Sequence, residues 1–208
     1  MLNWAGAHVN RNVQRALVVA CLIVLPATAN ADWQAVEQVE TYAIRGKSGA
    51  ELYASIGERG PQLGGGKVRT IAHTNFKLTW RRNYQNQGTA CTLVSAQPKL
   101  IITYTLPKPA EPLPPSVRAG WETFISGIET HERVHGDTIK EMVKAIEAST
   151  VGLSMPGDPK CQKIRSEMTS RLSALSLAQR QKSRDFDKDE MSEGGNVRRL
   201  ILQLVNGS

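Results

Sequence analysis

The chain has 208 residues, of which 40% are hydrophobic, enough for a domain with a sizeable core. Its formal net charge is +7, and no dense Lys/Arg block interleaved with aromatics accompanies that excess, which argues against nucleic acid as a partner. The mild basicity suits a solvated surface better than a polyanion-binding one.

Residues 1–31 have the form of an export signal. Arg11 and Arg15 supply positive charge without nearby acids, Ala16 to Leu25 is an unbroken apolar run, and Pro26 and small residues follow. Cleavage after Ala29 or Ala31 satisfies the small-x-small pattern. Ten apolar residues are too few to cross about 30 Å of hydrocarbon, so no stable span is expected after cleavage. Cys21 leaves with the signal, and the remaining cysteines, Cys91 and Cys161, form an even pair in an oxidising compartment. A disulfide between them is expected, and the chain is expected to be periplasmic or secreted.

Residues 32–208 read as a single domain that starts with a small mixed region. Val36 to Ile44 suits a strand, and Ser48-Gly49-Ala50-Glu51 has the capping-box form that opens a short helix. Gly64-Gly65-Gly66 is followed by no Lys-Ser/Thr, so it reads as a loop and not a phosphate cradle. Strand-like runs follow at 68–73, 76–84, 92–96 and 100–106. Phe76 to Arg81 alternates apolar with polar, which suits an antiparallel sheet packed on one face. His73 stands among these strands and reads as a surface residue before it reads as a ligand. Pro107, Pro109, Pro112, Pro114 and Pro115 form a stiff connector.

A long helix is expected from about Ser116 to Ala148. Within it lies His131-Glu132-Arg133-Val134-His135, a His-Glu-x-x-His pattern. Helical positions four apart share a face, so two imidazoles can reach one tetrahedral Zn²⁺ at about 2.0–2.1 Å each. Trp121, Phe124, Ile128, His131, His135, Ile139, Met142 and Ile146 recur at spacings of three or four, which places both histidines on the apolar stripe. In metalloproteases with this pattern the glutamate is the general base, here Glu132. Asp158-Pro159 opens a second helix, with a buried stripe through Ile164, Met168, Leu172 and Leu175 to Phe186. Asp187, Glu190 and Glu193 follow, and Leu200 to Leu202 forms a short packed segment. A third zinc ligand is needed, and no histidine lies beyond His135. The late acids are the most economical supply, and spacing does not choose among Asp187, Glu190 and Glu193. His73 or a cysteine released from its bridge is also open, and Asp137 is placed to anchor an imidazole.

Several short patterns occur in order along the chain: Tyr42-x-x-x-Gly46, Glu51-Leu52, Thr79-Trp80-Arg81, Cys91, Thr105-Leu106-Pro107, Trp121-x-x-Phe124, His131-Glu132-x-x-His135 and Phe186-Asp187. Together they resemble a bacterial family of predicted secreted zinc-dependent proteases catalogued as domain of unknown function 922. The resemblance implies a secreted hydrolase fold and points to Asp187 as the aspartate of the late helix. Many members carry Tyr-Asp-x-x-Thr-x-His-Gly there, whereas this chain has Phe186 to Gly194 without a histidine.

The expected fold is therefore α+β and zincin-like, a small antiparallel sheet packed against a long helix carrying the motif and a second C-terminal helix. The expected function is that of a hydrolase, a zinc metalloprotease acting on peptides or proteins of the cell envelope, with Glu132 activating a zinc-bound water and Tyr84 or Arg82 as candidates for the oxyanion donor. The alternatives are a non-catalytic envelope binding protein with a structural metal site, and a cell-wall peptide amidase.

Overall fold

The computed structural model describes residues 33–64 and 68–207. The signal segment, Cys21 and the centre of the glycine loop lie outside these residues. In chain order the elements are β1 (Val36–Ile44), α1 (Gly49–Arg59), β2 (His73–Gln87), β3 (Ala90–Pro109), α2 (Pro115–Thr150), β4 (Ser154–Met155), α3 (Gln162–Met191) and α4 (Asn196–Asn206).

The sheet is mixed, which corrects the expectation of an antiparallel one. β3 is its centre, paired in parallel with β1 and antiparallel with β2, while β4 adds a short antiparallel pairing at the start of β3. Strand alternation explains β3's central position: Leu100, Ile102, Tyr104 and Leu106 are all buried on one face. Two long strands replace the four short runs. The stretch 68–72 contributes only an isolated bridge between Gln62 and Arg69, and Pro107 and Pro109 belong to β3 instead of a connector. With four helices, and a site drawn from two of them, the zincin-like assignment is likewise corrected.

α2 crosses the buried face of the sheet. One half, with Trp121, Phe124 and Ile128, packs with Ile44, Leu52 and Leu106 and with Val197, Leu200 and Leu204 of α4. The other half, with Ile139, Met142, Val143 and Ile146, packs on Leu100, Ile102 and Tyr104. The close approach between them needs a glycine. A Cβ added to Gly136 would lie 2.0 Å from Tyr104 Oη.

α3 begins at a disulfide between Cys91 and Cys161. Cys161 is at its N-cap, three residues later than Asp158-Pro159 suggested, while the Asp158 carboxylate accepts from Gln162 N (2.7 Å) and Ile164 N (2.9 Å). Ile164 and Met168, both in the first third, are the only fully buried residues of this helix. The far half of α3 therefore has little apolar anchorage. No described helix is long and apolar enough to cross a membrane.

Candidate metal centre

The far half of α3 returns past the middle of α2 and brings Asp187 to the two histidines. Asp187 Oδ1 lies 3.1 Å from His131 Nε2 and 2.9 Å from His135 Nε2, and the two nitrogens are 3.2 Å apart. Donors on a tetrahedron with metal bonds of about 2.0–2.1 Å lie roughly 3.3 Å apart, so the triangle has nearly the dimensions one small ion requires. Two imidazoles and a carboxylate also have the ligand chemistry for zinc-type coordination. Among the described residues this is the one group of three metal-capable side chains that converges, and it can coordinate a divalent metal.

The surroundings hold the triad in place. Phe186 stacks on His131 with ring centroids 4.7 Å apart and an interplanar angle of 17°, and meets His135 edge-on at 5.5 Å. His131 is 9% exposed, and its Nδ1 is buried without a hydrogen-bond partner. The nearest carboxylate to that nitrogen is Glu190, with Oε2 at 3.6 Å. Glu190 thus faces the other ring nitrogen from the one Asp187 meets, beyond hydrogen-bond reach, and stays outside the converging set.

The carboxylate and the imidazoles tune one another's charge. Burial raises the Asp187 carboxyl, but hydrogen bonds to His131 and His135 and their positive fields outweigh it and hold its pKa well below the ordinary carboxylate range. Burial likewise opposes charge on His135. The Asp187 bond and charge, helped by Glu132, nevertheless raise its pKa above 6.5.

Other sequence candidates fall elsewhere. Glu193 is exposed beyond the end of α3. Asp137 pairs with Lys140 at 2.7 Å, away from either imidazole. Cys91 and Cys161 are bonded to each other. Tyr84 lies under Arg165 and bonds Met168 Sδ, and Arg82 lies over Trp80. His73 lines the same cleft as the triad but stays outside the converging set.

Glu132 also stays outside that set. It is 5% exposed, and Thr74 Oγ1 on β2 donates to its Oε2 at 2.6 Å, tying α2 to the sheet. Thr74, Phe186 and Tyr104 had no sequence signal for these roles beyond strand alternation and the family's Phe-Asp pair.

Residues 39–195 match the family described as bacterial protein of unknown function (DUF922). The chain belongs to that family. No curated protein and no solved structure matches it. The family description carries no activity, so the protease label attached to the resemblance is not supported.

The geometry corrects the expectation of a hydrolase. The HExxH spacing is present in α2, but the assembled site is His131, His135 and Asp187, drawn from two helices. Glu132, expected to be the base, has one carboxylate oxygen engaged as a strut to β2. This arrangement supports an ion cross-linking two helices, and neither the geometry nor the family match supplies a hydrolytic step. The terms hydrolase and metalloprotease do not describe what has been found.

Proposed function

We propose that this DUF922 protein is a non-catalytic binding protein whose metal site is structural. The observation that carries this reading is the position of Asp187. It sits on the half of α3 that has no fully buried residue, yet it converges with two imidazoles of α2 at hydrogen-bond distance. An ion held by His131, His135 and Asp187 would clamp that half of α3 to α2 and fix one wall of the adjoining cleft. Binding that occurs only in the folded state adds directly to folding stability. Two nitrogens and one oxygen at tetrahedral spacing favour zinc. The disulfide supports a location outside the cytoplasm, in keeping with the signal-like first 31 residues.

The test is zinc titration of the purified, metal-stripped protein, followed by thermal unfolding and a peptide-hydrolysis assay. The expected result is stoichiometric zinc uptake, a rise in Tm lost in Asp187→Ala, and no turnover of casein or a mixed peptide library. Absence of zinc uptake overturns the metal site. Zinc-dependent hydrolysis that disappears in Glu132→Gln overturns the non-catalytic assignment.

A further inference from the structure

A cleft of about 700 Å³ opens beside the metal triad, between the start of β2 and the far half of α3. Its size is that of a ligand site, not of a packing defect. Three independent features describe what fits it.

The first is a strand edge. β2 pairs with β3 on one side only, and no strand pairs with its other edge among the described residues. Residues 73–76 line the cleft. The Phe76 N–H is satisfied by the Asn75 side chain, Oδ1 at 2.8 Å, instead of by a neighbouring strand. In an antiparallel ladder the N–H and C=O of one residue point to the same edge and alternate along the strand, so Thr74 and Phe76 present their backbone groups outward. An incoming strand needs to displace only one short amide contact.

The second feature is apolar. Leu63, Phe76 and Met191 line the cleft and are all more than a third exposed. Spaced apolar contacts beside a free edge suit the alternate side chains of an extended chain.

The third feature is charge. Arg69, Arg180 and Arg184 line the cleft, and no ion pair among the described residues engages them. Their bonds run to neutral acceptors: Arg69 to Gly60 O, Arg180 to Ser176 O and Arg184 to Gln181 Oε1. A guanidinium has five N–H donors, so each keeps several free. The two lining acids, Glu132 and Asp187, are already engaged by Thr74 and the imidazoles.

We propose that the cleft takes an extended, acidic polypeptide segment as an added strand on the free edge of β2, with its carboxylates on Arg180 and Arg184. The proposal rests on the reading above in one respect, that the metal clamp holds α3 in place as the cleft wall. Arginine fixes carboxylates bidentately, and an unpaired pair of arginines on one helix, one turn apart, discriminates strongly by charge.

The experiment uses zinc-loaded full-length protein and three fluorescent octapeptides that alternate valine with glutamate, glutamine or lysine. The glutamate peptide is expected to bind at least tenfold tighter than the glutamine peptide, and the lysine peptide not at all. N-methylation of alternate backbone amides in the glutamate peptide should abolish binding, since it removes the strand-pairing donors without touching charge. The R180Q/R184Q double variant should equalise the glutamate and glutamine peptides while zinc uptake, read by competition with a chelating dye, is unchanged. Equal binding of all three peptides, or full binding of the N-methylated one, by protein that takes up zinc overturns the proposal. Failure of zinc uptake with the acidic preference intact overturns the metal clamp and leaves the acidic strand site standing.

Discussion

Phe186 lies flat against His131, their ring centroids 4.7 Å apart and their planes 17° from parallel. It stacks on His131 and meets His135 edge-on from the far half of α3, and it is adjacent in sequence to the third candidate ligand. Phe186→Ala is therefore expected to loosen α3 before it affects the rest of the fold. The side chain is only partly buried, so the loss should fall below the cost of a core Phe→Ala, at about 1–2 kcal/mol. Chemical unfolding of the metal-free protein measures it. Faster amide exchange confined to residues near 180–191 would show that the loss is local.

Glu190 and Asp187 should separate cleanly in metal titrations. Removing a ligand abolishes the site, whereas removing a carboxylate that orients an imidazole weakens it by about 10–100-fold. Asp187→Ala is expected to lose zinc altogether. Glu190→Gln, which loses the charge facing the buried Nδ1 of His131, should retain zinc with the smaller penalty. Equal losses in the two variants would mean that both are ligands.

Much of this was legible in the sequence, for reasons that particular residues make plain. A four-residue spacing on an uninterrupted amphipathic helix forces His131 and His135 onto one face, so their proximity needed no tertiary information. The helix start at Ser48 was readable because its hydroxyl accepts from Glu51 N, a purely local contact. Parallel pairing of β1 with β3 was not readable, because nothing in Val36–Ile44 records which strand it joins or in which direction. Asp187 could not be ranked above Glu190 on spacing alone. The two are three residues apart on one helix, and only the rotation of α3 against α2 sends one to Nε2 and the other toward Nδ1 of the same ring. Thr74 escaped notice because a threonine in a strand gives no sign of a glutamate 58 residues away.

Zinc should stabilise the protein more as pH rises. A metal ligand must be deprotonated, and His135 titrates above its ordinary 6.5 because the bond and charge of Asp187, with Glu132, outweigh burial. In the metal-free protein the raised value works the other way. The His135–Asp187 pair contributes fully below about pH 6.5 and is lost as pH climbs through the raised pKa. Asp187, held below the usual carboxylate range, stays ionised throughout. The shift in Tm on adding zinc is thus expected to be small near pH 5.5 and to grow above pH 7. A shift independent of pH would remove His135 from the ligand set.

Gly136 sets how close α2 comes to the sheet. A methyl group there would meet Tyr104 Oη at 2.0 Å, and that hydroxyl donates to Glu37 Oε2 at 2.9 Å. Burial and the Glu37 bond and charge push the phenol up to about 12, so it is a neutral donor at any working pH. Gly136→Ala is expected to cost about 1–3 kcal/mol by overpacking, less the propensity gained by replacing glycine in a helix. Adding Tyr104→Phe removes the clashing oxygen and should recover part of the loss. A double variant no more stable than Gly136→Ala alone would show that the clash lies elsewhere.

The disulfide and the metal clamp act on opposite ends of α3, and they should behave as independent restraints. Cys91–Cys161 ties the start of the helix to β3 across a sequence separation of 70, and closing a loop of that length restricts the unfolded chain by about 4 kcal/mol in the loop-entropy account. The site at Asp187 acts only on the folded state. Sites this far apart along one helix and without shared partners are expected to add within about 0.5 kcal/mol. Replacing both cysteines by serine should therefore lower stability by a few kcal/mol while leaving the zinc-induced gain nearly unchanged. Unfolding curves of both forms, with and without zinc, complete the cycle. A zinc gain that collapses in the double serine variant would show that the metal site depends on the anchored helix start, and that the two ends of α3 fold as one unit.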